Sequence, residues 1–228
     1  RALGHLLRGQ ESFYQQDWDA ARGAFDRAIE SDTTFALAYH RRSTVEVWSW
    51  DFPRALSYAD SGVFRAASSA TREWRDLLRA QRLLVTRQAD SVLDLMGRYV
   101  SDFPQNADGW FVLGQASQAF SAVTGGCAAD AIPRWERGLR IDSHMAPVHG
   151  DIIQLALRSG DEETARAHLE EIAESDQLPR IAFNLQFGDT PTRDATLQEL
   201  TSADRGVISW LVVNLGHNVS DLPLADTL

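Results

Sequence analysis

The chain has 228 residues, is 44% hydrophobic, and carries a net charge of -10 with a sequence pI near 5.0. This acidic balance argues against binding a phosphate backbone, which needs a basic footprint, and no apolar run approaches the ~20 residues of a membrane span. All 22 cations are Arg, which excludes a phosphate-loop Lys, a pyridoxal Schiff-base Lys and a kinase strand Lys from this segment.

Helical periodicity runs almost throughout. Leu3, Leu6, Leu7, Phe13 and Tyr14 make a first apolar stripe ending near Gln16. Asp17 offers an N-cap for a second helix carrying Trp18, Ala21, Phe25, Ala28 and Ile29. Asp32 and Thr33 mark a turn before a helix over Phe35–Trp48, and Pro53 opens the next, with Ala55, Leu56, Ala59, Val63 and Phe64. A third pair spans Thr71–Thr86 and roughly Asp90–Val100, closed by Asp102-Phe103-Pro104. The fourth has Trp110, Leu113 and Gly114, then a Gly125-Gly126 loop before Ala131; the lone Cys127 reads there as a small turn residue. The fifth runs from Pro147 to Asp176 and turns at Ser159-Gly160-Asp161. Helices over 179–187, 192–201 and 204–215 follow, the last containing Trp210 and stopped by Gly216. Residues 220–228 read as the start of one more.

One pattern recurs. Ala21, Phe25 and Ala28 return as Ala55, Ala59 and Gly62, as Ala131, Trp135 and Gly138, and as Ala165, Leu169 and Ile172. The steps from Ala21 to Ala55 and from Ala131 to Ala165 are both 34 residues. Spacing of four then three sets a small, a large and a small residue on one helix stripe, and a period in this range means stacked helical hairpins. The third pair departs, with Val92, Met96 and Tyr99 on the stripe.

These stripes, with Trp110/Leu113/Gly114 leading to Ala131/Trp135, resemble the tetratricopeptide (TPR) repeat. Gly9 and Gly114 stand where that family keeps a small residue on its first helix, and Ser43 and Ala80 are small substitutes. The Pro that usually closes a repeat is matched well only by Pro104. The resemblance implies an all-α, right-handed α-solenoid of antiparallel helix pairs. About five repeats would occupy residues 1–176, with residues 177–228 continuing or capping them. The layout also resembles repeat regions of bacterial kinases and transcriptional regulators, and the chain reads as a segment of something longer. The cytoplasm is the favoured compartment, with the periplasm as the alternative.

In such solenoids the first helix of each pair lines the concave surface. Gln10, Thr44, Gln81, Gln115 and Gln154 share one register, at steps of 34, 37, 34 and 39 residues. Each amide offers two donors and an acceptor, suited to the backbone of an extended peptide. Leu6, His40, Leu77 and Phe111 lie one turn earlier, with Phe13, Val47 and Leu84 on the later side, and would read side chains. Trp48 and Trp50, beside Phe52 at a hairpin turn, are the candidate exposed anchors, whereas Trp18, Trp110 and Trp135 fill gaps between helices.

Nothing points to catalysis. The six histidines are scattered, His144 and His149 miss the spacing of a zinc pair, and no G-x-S-x-G or G-x-G-x-x-G occurs. Glu162, Arg166 and Glu170 form an ion-pair ladder on a solvated face, and the sequon at Asn218 carries no weight without a secretory context. The expected function is a non-catalytic protein- or peptide-binding scaffold with no cofactor, metal, nucleic-acid partner or membrane span. The alternative is a structural subunit docked into a multiprotein assembly, served by residues 207–215 and the Trp pair.

Overall fold

The computed structural model describes residues 1–65, 70–174 and 176–200, together with Val207, Leu211 and Leu215. Apart from those three positions, the expected helix at 204–215 with Trp210, its Gly216 stop, the sequon at Asn218 and the segment 220–228 lie outside the described residues. Among the described residues the regular structure is helical, without strands.

Contacts divide the chain into two units, Arg1–Met145 and Ala146–Leu228. The first holds α1 (Ala2–Tyr14), α2 (Trp18–Ser31), α3 (Ala36–Trp48), α4 (Phe52–Arg65), α5 (Arg72–Val85), α6 (Ala89–Asp102), α7 (Ala107–Thr124) and α8 (Ile132–Leu139). Local chemistry fixes the starts. Asp17 accepts from the Ala20 N–H at 3.0 Å, Asp51 from Arg54 at 3.1 Å, and Asn106 from Gly109 at 3.0 Å, each satisfying an amide the helix leaves free. The hairpin turns repeat as faithfully as the helices. Gln16, Trp50 and Arg87 sit at φ of 59°, 60° and 58°, at the same steps of 34 and 37 residues. After each turn an amide reaches back five residues to a carbonyl: Asp17 to Ser12, Asp51 to Glu46, Gln88 to Leu83. A left-handed residue closes each helix, as expected where one helix must reverse into its partner. The fourth pair departs as its glycines foretold: α7 runs on to Thr124, Gly125 takes φ 72°, and a 3-10 turn over 128–131 leads into α8.

The small–large–small stripes seal each pair. Ala21, Phe25, Ala28, Ala55, Ala59 and Ala131 are fully buried and Trp135 is 1% exposed. Close approach at the first helix is obligatory: a Cβ on Gly114 would lie 2.3 Å from Nε1 of Trp135, which donates to the Phe111 carbonyl at 3.2 Å. In the second pair Ser43 uses its hydroxyl instead, donating to the Ala55 carbonyl at 2.7 Å. The large stripe of the third pair is accommodated by its neighbour. Tyr99, 1% exposed, lies against the bare backbone of Gly109 in α7, where a Cβ would come within 2.4 Å of the ring.

Each second helix packs on the next first helix (α2 on α3, α4 on α5, α6 on α7), and the first helices also touch in order, α1 to α3 to α5 to α7. This is the solenoid arrangement. An ion network ties α2, α3 and α4. Glu46, fully buried, receives Arg42 and Arg22 (3.2 Å); Arg42 also bonds Asp26 at 2.8 Å and lies 4.3 Å over the Tyr58 ring.

The second unit holds α9 (Pro147–Ser159), α10 (Glu162–Leu169), α11 (Gln177–Phe187) and α12 (Thr190–Leu200). Gly160, at φ 73°, turns α9 into α10 in the same place as Gln16, Trp50 and Arg87 do in their pairs. Ile153, Leu157, Ala165, Leu169, Phe183 and Leu185 form its core, with Leu211 and Leu215. The fifth stripe is cut short: α10 ends at Leu169, so Ile172 lies beyond it, half-buried. Arg180 explains the stop, donating to the carbonyls of Leu169 (2.9 Å) and Ile172 (3.1 Å) where the next turn's amides would have bonded.

Candidate functional site

The candidate site is the layer of first helices in the first unit, where polar side chains meet among apolar ones. Leu6, Phe13, His40, Leu77 and Phe111 are all buried, while Val47 and Leu84 are half-buried. The amide ladder divides by environment. Gln10 is half-buried, and its Nε2 donates to the Tyr14 hydroxyl at 2.5 Å. Thr44 turns its hydroxyl onto the His40 carbonyl at 2.9 Å. Gln81 is fully buried, and neither its Oε1 nor its Nε2 has a hydrogen-bond partner. Gln115 is half-buried. Gln154 belongs to α9 of the second unit and is half-buried there.

Two contacts across this layer escape periodicity. Arg41 of α3 reaches past α5 to an ion pair with Asp108 of α7, both nearly enclosed. Tyr14, at the end of α1, donates to the Asp142 carboxylate at 2.7 Å and stacks on His144 with ring centroids 6.0 Å apart. Burial, and then the Asp142 bond, pushes the Tyr14 hydroxyl up to about 12. For Asp142 burial alone would raise the carboxyl, but hydrogen bonds from Tyr14 and His144 outweigh it and hold the group below its usual range. The first hairpin thus touches the loop after α8. The signal for Arg41 and Asp108 was present in the repeat itself: the positions matching Arg41 in the next two pairs are Leu78 and Val112, so a charge there breaks the pattern.

His40 is 1% exposed with its Nδ1 unpartnered. Burial lowers its pKa to about 4, against a raising influence from Asp108 and a lowering one from Arg41. The folded value lies below the unfolded 6.5, so the unfolded chain binds a proton first as pH falls. His40 therefore contributes stability that is present above pH 6.5 and is lost as pH falls from 6.5 towards 4. The expected loss is on the order of 3 kcal/mol across that window. Urea titrations of the wild type and His40→Asn at several pH values check it: the difference between the two stability curves should slope there and be flat above pH 7.

The two anchor candidates differ. Trp48 is half-buried, stacked on Trp18 (6.4 Å, 23°) and edge-on to Phe13 (6.1 Å). Trp50 is 81% exposed and edge-on to Phe52 at 6.0 Å. In the second unit His149 and His168 meet through their Nδ1 atoms at 2.9 Å, and the solvated α10 face carries the Arg166–Glu162 pair at 2.5 Å. Among the described residues no group of three or more His, Cys, Asp or Glu side chains is arranged to hold a metal ion, and no helix is long and apolar enough to cross a membrane.

No family model matches the chain, and no curated protein matches it. Among solved structures it is similar to one described as that of YrrB, a TPR protein with an unusual peptide-binding site. The identity is 13%, the TM-score 0.38, and the overlap covers 87% of this chain and 92% of that one.

Proposed function

We propose that this chain is a non-catalytic scaffold for a protein or peptide segment, received on the face built by α1, α3, α5 and α7. The observation that carries this reading is Gln81. A buried carboxamide with neither atom bonded to protein costs about 1–3 kcal/mol, a cost that a bound segment would relieve. Its register is that of Gln10, Thr44 and Gln115, and the unpartnered Nδ1 of His40 and Nε of Arg41 belong to the same helix layer. A peptide backbone supplies both a donor and an acceptor, and would satisfy such an amide once the first helices part enough to expose it. The net charge of -10 favours a neutral or basic segment.

Gln81→Met separates binding from folding, because it keeps the volume and removes the unpaired polar atoms. The variant should be more stable by about 1 kcal/mol in urea denaturation. Peptides selected from a display library on the wild-type chain should bind it roughly tenfold more weakly. Selected peptides that bind Gln81→Met as tightly as wild type would remove the basis of this reading. The alternative, a subunit docked permanently in an assembly, draws support from the aromatic surface of α4 and its preceding turn, where Trp50 and Phe64 are 81% and 82% exposed.

A further inference from the structure

His149 and His168 belong to the second unit, outside the first-helix layer, and their Nδ1 atoms lie 2.9 Å apart. With centroids 5.0 Å apart and planes at 55°, the rings meet through these nitrogens rather than face to face. His149 stands in the first turn of α9 and is 8% exposed; His168 stands in the last turn of α10 and is half-buried. The Gly160 turn and the shared core of Ile153, Leu157, Ala165 and Leu169 hold the two helices side by side, so the hairpin itself imposes the contact.

Two facing nitrogens at this distance hold one hydrogen between them: one ring donates and the other accepts. A first extra proton settles on an outer Nε2 and leaves the bond in place, now charge-assisted. A second puts an N–H on both facing nitrogens and a charge on both rings, which breaks the contact. The helix ends decide which ring is charged first. The free carbonyls at the end of α10 favour a cation on His168, whereas the free amides at the start of α9 oppose one on His149. Burial first, and then His168, hold the His149 pKa below its ordinary value, while Glu171 works the other way.

The remaining charges are otherwise engaged. Within the second unit α9 packs on α10 and α11. On α10, Glu162 and Arg166 pair with each other and Glu163 is exposed. Arg180, the one charged residue of α11, is taken up by the Leu169 and Ile172 carbonyls. On α9, Arg158 is exposed at the far end, and Asp151 is pushed up to about 7 by burial alone.

We infer that the His149–His168 pair is a proton-operated fastening of the second unit. It holds the start of α9 to the end of α10 while no more than one ring is charged, and releases it when both are. The folded His149 takes its proton at lower pH than the unfolded chain does, so its support is present above pH 6.5 and is lost as pH falls below that value. The fastening stands whether or not the amide ladder binds peptide.

NMR titration of the histidine rings in the full chain should show His168 charging first and His149 at lower pH. In His168→Gln the His149 midpoint should rise by about one pH unit, because the competing charge is gone. Hydrogen exchange gives the second reading. From about pH 7.5 to about pH 5, protection of amides 165–169, corrected for intrinsic exchange, should fall roughly tenfold more in the wild type than in His149→Gln. Asp151 gains stability as it is protonated in the same range, but it is common to both proteins and cancels in the comparison. Local exchange also separates this effect from that of His40 in the first unit. The two variants remove opposite partners, so failure of one to fold leaves the other reading standing. An unmoved His149 midpoint in His168→Gln, or equal loss of protection in the wild type and His149→Gln, would overturn the inference.

Discussion

Glu46→Ala should cost the first unit about 3–5 kcal/mol, because it strands a buried cation. Glu46 is fully buried between Arg22 and Arg42, and Arg42 is itself only 4% exposed, so water cannot replace the lost carboxylate. Asp26 remains at 2.8 Å, but it is 39% exposed and cannot neutralise the deeper end of the guanidinium alone. Equilibrium urea denaturation provides the measurement, and a loss under about 1 kcal/mol would mean that the network is only a solvated surface pair. Replacing Arg42 and Glu46 together by Met should return most of the stability, since the cost lies in the unpaired charge rather than in the absence of a favourable pair.

Trp135→Ala should be comparably severe, at about 3–5 kcal/mol, because it empties the space between α7 and α8 and releases the Phe111 carbonyl bond. Its companion, Gly114→Ala, tests the same contact from the other side. A Gly-to-Ala change inside a helix ordinarily stabilises by about 1 kcal/mol. Here the new Cβ would lie 2.3 Å from Nε1 of Trp135, so the sign should reverse to a loss of about 1–3 kcal/mol. Combining Gly114→Ala with Trp135→Leu should recover part of that loss, which thermal unfolding of the four proteins would read directly.

The helices and their pairing were legible in the sequence because they depend on neighbours three, four or 34 residues away, and such periods are written in the chain. Asp17, Gly125 and Gly160 are local signals of the same kind. The fate of the amides was not legible. Gln81 and Gln115 occupy one register, yet one is sealed and the other half-open. That difference depends on how the first helices crowd together, which no single period encodes. Arg41 with Asp108 and Tyr14 with Asp142 are 67 and 128 residues apart; the charge at Arg41 breaks the repeat pattern, but no period names either partner. Trp48 likewise looked like a surface anchor from its place near a turn, but Trp18 and Phe13 stand ready to receive it.

The Tyr14–Asp142 bond changes what kind of object the first unit is. A linear array of repeats frays from its ends, each hairpin answering only to the next. Joining the first hairpin to the loop after the fourth adds a contact between hairpins that are not neighbours in sequence, so loosening the first also costs that bond, about 1 kcal/mol. Opening the layer that buries Gln81 and His40 then also costs the bond that joins its two sides. That bond spans 128 residues of sequence, so it links two hairpins that the repeat pattern alone would leave independent.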